Sequence, residues 1–183
     1  MDGCARALIR AGHQPGEMVG ICARNMPEWT QADLGILAAR GVSVPIYPTS
    51  TRDQVSYILR DARIRLLFVG EQPQFDRALE LLGAGEIARI VALDGGIDLR
   101  GCREACHFRD FVDGSDDLPG APGVGDREAQ YRMDDLLTLI YTSGTTGEPK
   151  GVMLDYANIA ACFAMHDRRL DVGERDVSLC MLP

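Results

Sequence analysis

One short segment, residues 141–151 (YTSGTTGEPKG), combines three glycines, four serine and threonine hydroxyls and the only lysine of the 183-residue chain. Glycines let a backbone curl until its N–H groups converge, and such a concavity binds anions. The hydroxyl groups add donors that can follow phosphate oxygens, and the ammonium group of Lys150 supplies a full positive charge on a mobile stem. The segment therefore predicts capture of a polyphosphate. The candidate nucleotide-binding residues are Thr142, Ser143, Gly144, Thr145, Thr146, Gly147 and Lys150.

Other glycine-rich patterns fit the chain less well. A Walker A loop has two glycines five positions apart, then Lys and Ser or Thr, and leads directly into a helix. Here the lysine is followed by a glycine and a strand-like VML sequence. The dinucleotide pattern Gly-x-Gly-x-x-Ala occurs at residues 83–88, but it follows a predicted helix and precedes a predicted strand, the reverse of the required order. A flexible linker is the remaining alternative, and the apolar strand that runs into residues 141–151 argues against it.

The residues ahead of this segment predict alternating helices and strands. The first residues read as a helix that stops at Gly12, and Pro27 begins a second helix that ends at Gly41. Thr51 and Gln54 have capping-box spacing before a third helix, and the sequence QFDRALELL predicts a fourth. Short apolar runs between turn residues predict buried strands at residues 18–23, 43–47, 65–70 and 88–94. This alternation predicts an α/β fold with a parallel β-sheet covered by helices on both faces.

The chain is expected to have three parts: an alternating α/β part at residues 1–94, an irregular connection at 95–132, and a phosphate-loop part at 133–183. The connection is rich in Gly, Pro and Asp, with a helical turn expected at FRDFV. In the third part, LLTLIY and GVML predict strands before and after the loop, and Asp155 is expected to cap the following helix. The last residues, DVSLCMLP, predict a strand that the chain end interrupts, which favours a fragment over a complete domain.

Composition narrows the class of function. The chain is 46% hydrophobic and 25% charged, which is typical of a soluble globular protein, and its net charge of −8 argues against a nucleic-acid partner. It has no apolar run of the roughly twenty residues that a transmembrane helix requires. Its first residues lack the layout of a signal peptide, so the six cysteines are expected to be reduced thiols in the cytoplasm. Cys102, Cys106 and His107 lack a second ligand pair, so no metal site is expected there.

The sequence YTSGTTGEPKGV resembles the phosphate-loop signature of the adenylate-forming, or AMP-binding, enzymes: acyl-CoA synthetases, luciferases and peptide-synthetase adenylation domains. The core of that signature, Ser-Gly-Thr-Thr-Gly-x-Pro-Lys-Gly, is met at every position of residues 143–151. RNMPEW (24–29) and ARGVSVPIYPTST (39–51) resemble the early part of the long-chain fatty acyl-CoA synthetase branch. At Tyr156 the chain departs from the family, which often carries a histidine there. The resemblance implies an incomplete N-terminal AMP-binding domain of the acyl-CoA synthetase/luciferase-like fold, without its C-terminal domain.

The resemblance also implies an activity for the intact protein. A fatty carboxylate would attack the α-phosphate of ATP, and coenzyme A would then displace AMP, with Lys150 as a catalytic residue and Mg²⁺ bound to the nucleotide. The intact enzyme is expected in the cytoplasm or at a membrane surface. The residues 1–183 alone are expected to be inactive and to self-associate through the truncated sheet. Three alternatives stay open: an acyl-AMP ligase that delivers to a carrier protein, a phosphotransferase or nucleotide hydrolase, and a non-catalytic nucleotide-binding or interaction module.

Overall fold

The strands of the protein form one sheet, and helices connect most of them. The computed structural model describes residues 2–114, 123–142, 149–170, 173 and 175–177. The strands of these residues are β1 (Met18–Cys22), β2 (Val42–Ile46), β3 (Leu66–Val69), β4 (Arg89–Ala92), β5 (Ala105–His107), β6 (Leu136–Thr142) and β7 (Lys150–Asp155). The helices are α1 (Asp2–Arg10), α2 (Pro27–Ala38), α3 (Arg52–Asp61), α4 (Gln72–Gly83), α5 (Phe108–Asp113), α6 (Val124–Glu128) and α7 (Tyr156–Asp167).

The sheet is mostly parallel and doubly wound. Its described strands lie in the order β5-β4-β3-β1-β2-β6-β7, and the pairs from β5 to β6 are all parallel. The expectation of a parallel sheet is therefore confirmed for these strands. β7 is antiparallel to β6, a feature that the sequence did not predict. The physical reason is the short connection at residues 143–149, because a parallel crossover needs a dozen or more residues.

Apolar side chains are buried on both faces of the sheet. One core cluster contains residues of α3 and α4, among them Leu59 and Phe75, packed on β2, β3 and β4. The other contains residues of α1, α2 and α5, among them Leu8 and Ile36. Phe68 of β3 meets the rings of Phe108 and Phe111 edge-on, with centroids 6.1 and 6.0 Å away. The expected helices on both faces of the sheet are therefore confirmed.

The predicted boundaries agree with the structure where local signals are strong. Pro27 is the first residue of α2, and Thr51 caps α3 by accepting a hydrogen bond from the Gln54 amide. Asp155 caps α7 in the same way, through the amide of Asn158. The described parts of the connection, residues 95–114 and 123–132, contain β5 and α6 in addition to the expected turn at α5. Most of the predicted terminal strand (DVSLCMLP) lies outside the described residues.

None of the helices in the described ranges combines the length and the apolar character that a membrane crossing would require.

Candidate functional site

The hairpin of β6 and β7 positions the two ends of the predicted phosphate loop. Thr142, the last residue of β6, pairs with Lys150, the first residue of β7. Both residues are exposed, so the ammonium group and the hydroxyl are accessible to a ligand. The other predicted site residues lie outside the described residues, and their role stays a prediction: Ser143, Gly144, Thr145, Thr146 and Gly147.

The two ends of the loop, Thr142 and Lys150, lie at the edge of the sheet where ligands of α/β proteins bind. β6 is parallel to β2, with Ser43 paired to Thr138, so Thr142 lies at the same edge as the carboxyl ends of β1 and β2. In open α/β sheets, ligands bind in crevices outside the carboxyl ends of the parallel strands. The structure thus brings Thr142 and Lys150 to the edge at which a nucleotide is expected.

The crevice between β1 and β3, where the strand order reverses, is closed. Arg24 follows β1 and Glu71 follows β3, and the Arg24 Nε donates to the Glu71 Oε1 at 2.7 Å. The backbones also approach closely, because a Cβ placed on Gly70 would lie 2.6 Å from the Cβ of Ala23. Space for a ligand is found on the other side of β1, towards β2 and β6.

Two cavities open on that side. The first, here called the apolar cavity, has a volume of about 350 Å³, and the second, the loop-side cavity, has a volume of about 490 Å³. The apolar cavity is lined by Ala23, Arg24, Asn25, Trp29, Pro45, Ile46, Tyr47, Pro48, Thr49, Ile140 and Tyr141. The loop-side cavity is lined by Tyr47, Thr49, Ser50, Gln54, Ile58, Tyr141, Thr142 and Pro149. Both cavities therefore share a wall formed by residues after β2 and by the end of β6.

That shared wall, residues 47–50, is held in place by α4. The two terminal nitrogens of Arg77 each donate at 2.7 Å, one to the Ser50 carbonyl and one to the Pro48 carbonyl. The Gln74 side chain adds a bond of 3.3 Å to the Pro48 carbonyl. The sequence analysis did not predict these wall residues as part of the site. Their position after a predicted strand, at the edge where parallel strands end, is the signal that could have found them.

Two residues from the sequence analysis have a clear structural position. Trp29, the last residue of the RNMPEW stretch, is partly buried against the core and also lines the apolar cavity. Tyr156 stands first in α7, and its ring lies 5.2 Å from that of Tyr131, centroid to centroid. Burial raises the pKa of Tyr156 above its ordinary value, with a smaller contribution from the carboxylate of Asp135.

Tyr141 is the buried aromatic residue of the hairpin. It is 7% exposed, and its hydroxyl donates to the Asp61 Oδ2 at 2.5 Å. Burial and then the hydrogen bond to Asp61 raise the pKa of Tyr141 above its ordinary value, because both disfavour the phenolate. The Tyr141 hydroxyl is therefore protonated at neutral pH and acts as the donor.

Acidic and thiol groups do not gather into a metal-binding cluster among the described residues. In the described part of the chain, no three His, Cys, Asp or Glu side chains come together in a way that could hold a metal ion. Cys106 and His107 lie in β5, and Cys102 precedes that strand. Burial raises the pKa of the Cys106 thiol above its ordinary value.

Comparison with known proteins identifies relatives of the whole chain. A sequence pattern described as "AMP-binding enzyme" matches residues 1–183. Long-chain-fatty-acid–CoA ligase FadD15 of Mycobacterium bovis is 35% identical over 175 residues, which cover 93% of this chain and 28% of the relative. Long-chain-fatty-acid–CoA ligase ACSBG2 of Rattus norvegicus is 30% identical over 190 residues, covering 98% of this chain and 27% of the relative. The chain thus spans little more than a quarter of the length of these relatives.

Solved structures of similar fold include the anthranilate CoA ligase AuaEII in complex with anthranoyl-AMP, with a TM-score of 0.69 and 27% identity over 85% of this chain and 28% of that one. The N-terminal domain of FACL13 from Mycobacterium tuberculosis has a TM-score of 0.73 at 24% identity, covering 96% of this chain and 40% of that one. The fold of the described residues is therefore that of the N-terminal part of adenylate-forming enzymes. Because the family pattern matches the full length of 183 residues, the chain belongs to the AMP-binding enzyme family.

Proposed function

We propose that the complete protein containing this chain activates a long-chain fatty acid with ATP and transfers the acyl group to coenzyme A. The curated relatives described above are long-chain-fatty-acid–CoA ligases, which supports the choice of substrate. The observation that carries the proposal is the pairing of Thr142 with Lys150 across the strands that enter and leave the loop. The pairing puts Lys150, at the end of the glycine-rich segment in sequence, at the ligand edge of the sheet, which supports capture of a triphosphate there.

The proposed reaction has two steps. The fatty carboxylate attacks the α-phosphorus of ATP, so that a carboxyl–phosphate bond forms while the bond to pyrophosphate breaks. The sulfur of coenzyme A then attacks the acyl carbon, AMP leaves with the bonding electron pair, and the thiol proton passes to solvent. The products are acyl-CoA, AMP and pyrophosphate.

Charge repulsion is the main difficulty of the first step. A carboxylate with an ordinary pKa of about 4–5 is already ionised at neutral pH, so the step needs no general base. The carboxylate must, however, approach a triphosphate that carries about four negative charges. Lys150 and the backbone N–H groups of the loop would stabilise the charge that develops on the departing pyrophosphate. Mg²⁺ enters with the nucleotide as part of the substrate, and the described residues assign it no protein ligands.

The test is exchange of labelled pyrophosphate into ATP by the complete protein, with a long-chain fatty acid as the co-substrate. We expect exchange in the wild-type protein and a loss of about a hundredfold in Lys150→Ala, the usual effect of removing one group that stabilises transition-state charge. Arg109→Ala is a matched control, because it removes a cation whose side chain is 90% exposed on α5. An unchanged exchange rate in Lys150→Ala would exclude this lysine from the reaction.

The acyl acceptor and the alternative chemistries are tested on the same protein. Release of AMP that depends on coenzyme A supports the ligase, whereas transfer only to an acyl-carrier protein identifies an acyl-AMP ligase. Release or transfer of the γ-phosphate without pyrophosphate would identify a nucleotide hydrolase or phosphotransferase. If the complete protein does not bind ATP, the interpretation as a non-catalytic module is favoured.

A further inference from the structure

The ring of Tyr141 lies directly against the backbone of Gly151. The two residues pair across β6 and β7. A Cβ placed on Gly151 would lie 3.1 Å from the Cζ of Tyr141 and 3.4 Å from its Cε2 and its hydroxyl oxygen. An added methyl group would be closer to the ring than ordinary van der Waals contact, so the ring occupies the space beside the Gly151 backbone that a side chain would need. The ring therefore limits where the backbone of Gly151, and with it the neighbouring Lys150, can lie.

A hydrogen bond to helix α3 fixes the position of the ring. The Tyr141 hydroxyl donates to Asp61, the last residue of α3, across a separation of 80 residues in sequence. A carboxylate at the C-terminal end of a helix lies where the helix dipole disfavours negative charge. Helix stability thus does not account for an acidic residue at this position, whereas its contact with Tyr141 does.

The two contacts form a continuous chain from the helix to the loop. Asp61 fixes the tyrosine hydroxyl, the tyrosine ring limits the position of Gly151, and Gly151 precedes the rest of β7 and follows Lys150 directly. Thr142, next to Tyr141, is the residue that pairs with Lys150. Both ends of the phosphate loop are therefore one residue away from this chain of contacts.

We propose that Tyr141 and Asp61 form a positioning clamp that sets the place of Lys150 relative to the nucleotide phosphates. In this proposal both residues act through the backbone of β7, and the ring of Tyr141 also lines the two cavities. The proposal rests on the function proposed above, because it assigns the clamp to the ATP site. A misplacement of a catalytic group by about 1 Å can lower a rate by about a hundredfold, so a clamp of this kind has a measurable kinetic effect.

The test compares four variants of the complete protein in fatty-acid-dependent pyrophosphate exchange. Tyr141→Phe and Asp61→Ala are each expected to lower kcat/KM for ATP about tenfold, by analogy with the misplacement of a catalytic group. The double variant Tyr141→Phe/Asp61→Ala is expected to be no worse than either single variant, since both remove the same interaction. Asp61→Asn keeps an acceptor oxygen for the tyrosine hydroxyl and is expected to retain activity within about threefold of wild type.

Two matched controls make the same kind of substitution at positions outside the clamp. Tyr131→Phe removes the hydroxyl of a tyrosine that is 51% exposed, and Asp53→Asn changes a carboxylate that is 94% exposed on the same helix as Asp61. Both controls are expected to exchange pyrophosphate at the wild-type rate. Additive losses in the double variant, or wild-type kinetics in Tyr141→Phe, would overturn the clamp. So would a loss of activity that merely follows the fraction of unfolded protein in thermal denaturation.

Amide hydrogen exchange separates the clamp from the proposed function. In Tyr141→Phe, the amides of residues 150–152 are expected to exchange faster than in wild type, while those of α4 remain unchanged. If the wild-type protein shows no pyrophosphate exchange, the proposed function fails, and this measurement alone decides whether the clamp exists. Equal protection of residues 150–152 in wild type and variant would overturn it.

Discussion

At the scale of single residues, Gly151 is a glycine for a reason that its sequence context does not reveal. The sequence analysis attributed the glycines of the loop to backbone freedom and converging N–H groups. Gly151, however, does not have the positive φ that only glycine adopts easily. The ring of Tyr141 is what excludes a side chain at this position. The glycine thus serves close packing between the two strands of the hairpin.

Gly151→Ala should therefore damage both packing and catalysis. The added methyl group would lie 3.1 Å from a ring that Asp61 holds in place, so the ring or the strand must shift. We expect the free energy of unfolding to fall by about 1–2 kcal/mol, as for other overpacked sites, and the KM for ATP to rise. Urea denaturation and pyrophosphate exchange measure the two effects.

A second glycine provides the control for that substitution. Gly83, the last residue of α4, has open space around its added Cβ and no positive φ. Gly83→Ala is expected to leave exchange unchanged and to stabilise the protein by up to about 1 kcal/mol, because alanine loses less backbone entropy on folding. If Gly151→Ala behaves like Gly83→Ala, the packing argument for Gly151 is wrong.

The residues of the site differ in how far sequence could identify them. Lys150 is recognisable from its type and its neighbours, because a lone lysine in a glycine- and threonine-rich segment has few structural explanations. Asp61 is not, because it lies 80 positions before Tyr141 and meets it only once the sheet and helices have formed. Arg77 is hidden in the same way, since its role is to bond the carbonyls of Pro48 and Ser50. Residues that support a site through tertiary contacts can therefore be identified only once the fold is known.

At the scale of elements, local chemistry predicted the strong helices and strands but not the weak ones. The capping box of Thr51 and Gln54 appears in the structure as expected. β5 was missed because it has three residues, ACH, none of them fully buried, and so gives no apolar run. α6 was missed because its five residues, VGDRE, include a glycine and two acidic residues. Tertiary contacts, and not the intrinsic strand or helix propensity of their residues, stabilise β5 and α6.

Arg127 is the contact that fixes α6. It is 6% exposed and donates to the carbonyls of His13 at 2.8 Å and Ala39 at 2.9 Å, which join α6 to the residues after α1 and α2. Arg127→Ala removes the donor from both carbonyls, and we expect the free energy of unfolding to fall by about 2 kcal/mol. Urea denaturation of the purified protein measures this change.

Arg132→Ala is the matched control for Arg127, because its side chain is 73% exposed and pairs with a surface carboxylate, Asp134. An exposed ion pair contributes at most about 1 kcal/mol, so this variant should unfold close to wild type. Equal loss of stability in both variants would show that α6 is not held by its buried arginine.

At the scale of the whole molecule, the sequence predicted the class of the sheet but not its order. Alternating helices and short apolar strands indicate a parallel sheet, yet they do not say that β1 lies between β2 and β3 or that β6 follows β2. That order depends on which faces of the helices pack together, which is a property of the assembled core. The order also decides the site, because it brings residues 47–50 beside the end of β6 and so creates the two cavities.

Several large apolar side chains of α7 and β7 are exposed to solvent. In the described ranges, none of the side chains of α7 is buried. The exposed fraction is 64% for Phe163, 62% for Met165 and 68% for Met153. Exposed apolar side chains favour association in water, and β7 is the edge strand of the sheet among the described strands.

The 183-residue chain on its own should therefore self-associate through α7 and β7. We expect sedimentation velocity to show the average mass rising with protein concentration, because each copy removes the apolar surface of another from water. The double variant Phe163→Ser/Met165→Ser should shift that rise to concentrations at least about tenfold higher, since it removes two exposed apolar side chains from the contact. Leu34→Ser, on α2 and 43% exposed, is the matched control and should associate like wild type. A monomer at every concentration would show that the chain does not self-associate. An equal shift in the Leu34 variant would show that general hydrophobicity, and not an interface at α7, causes the association.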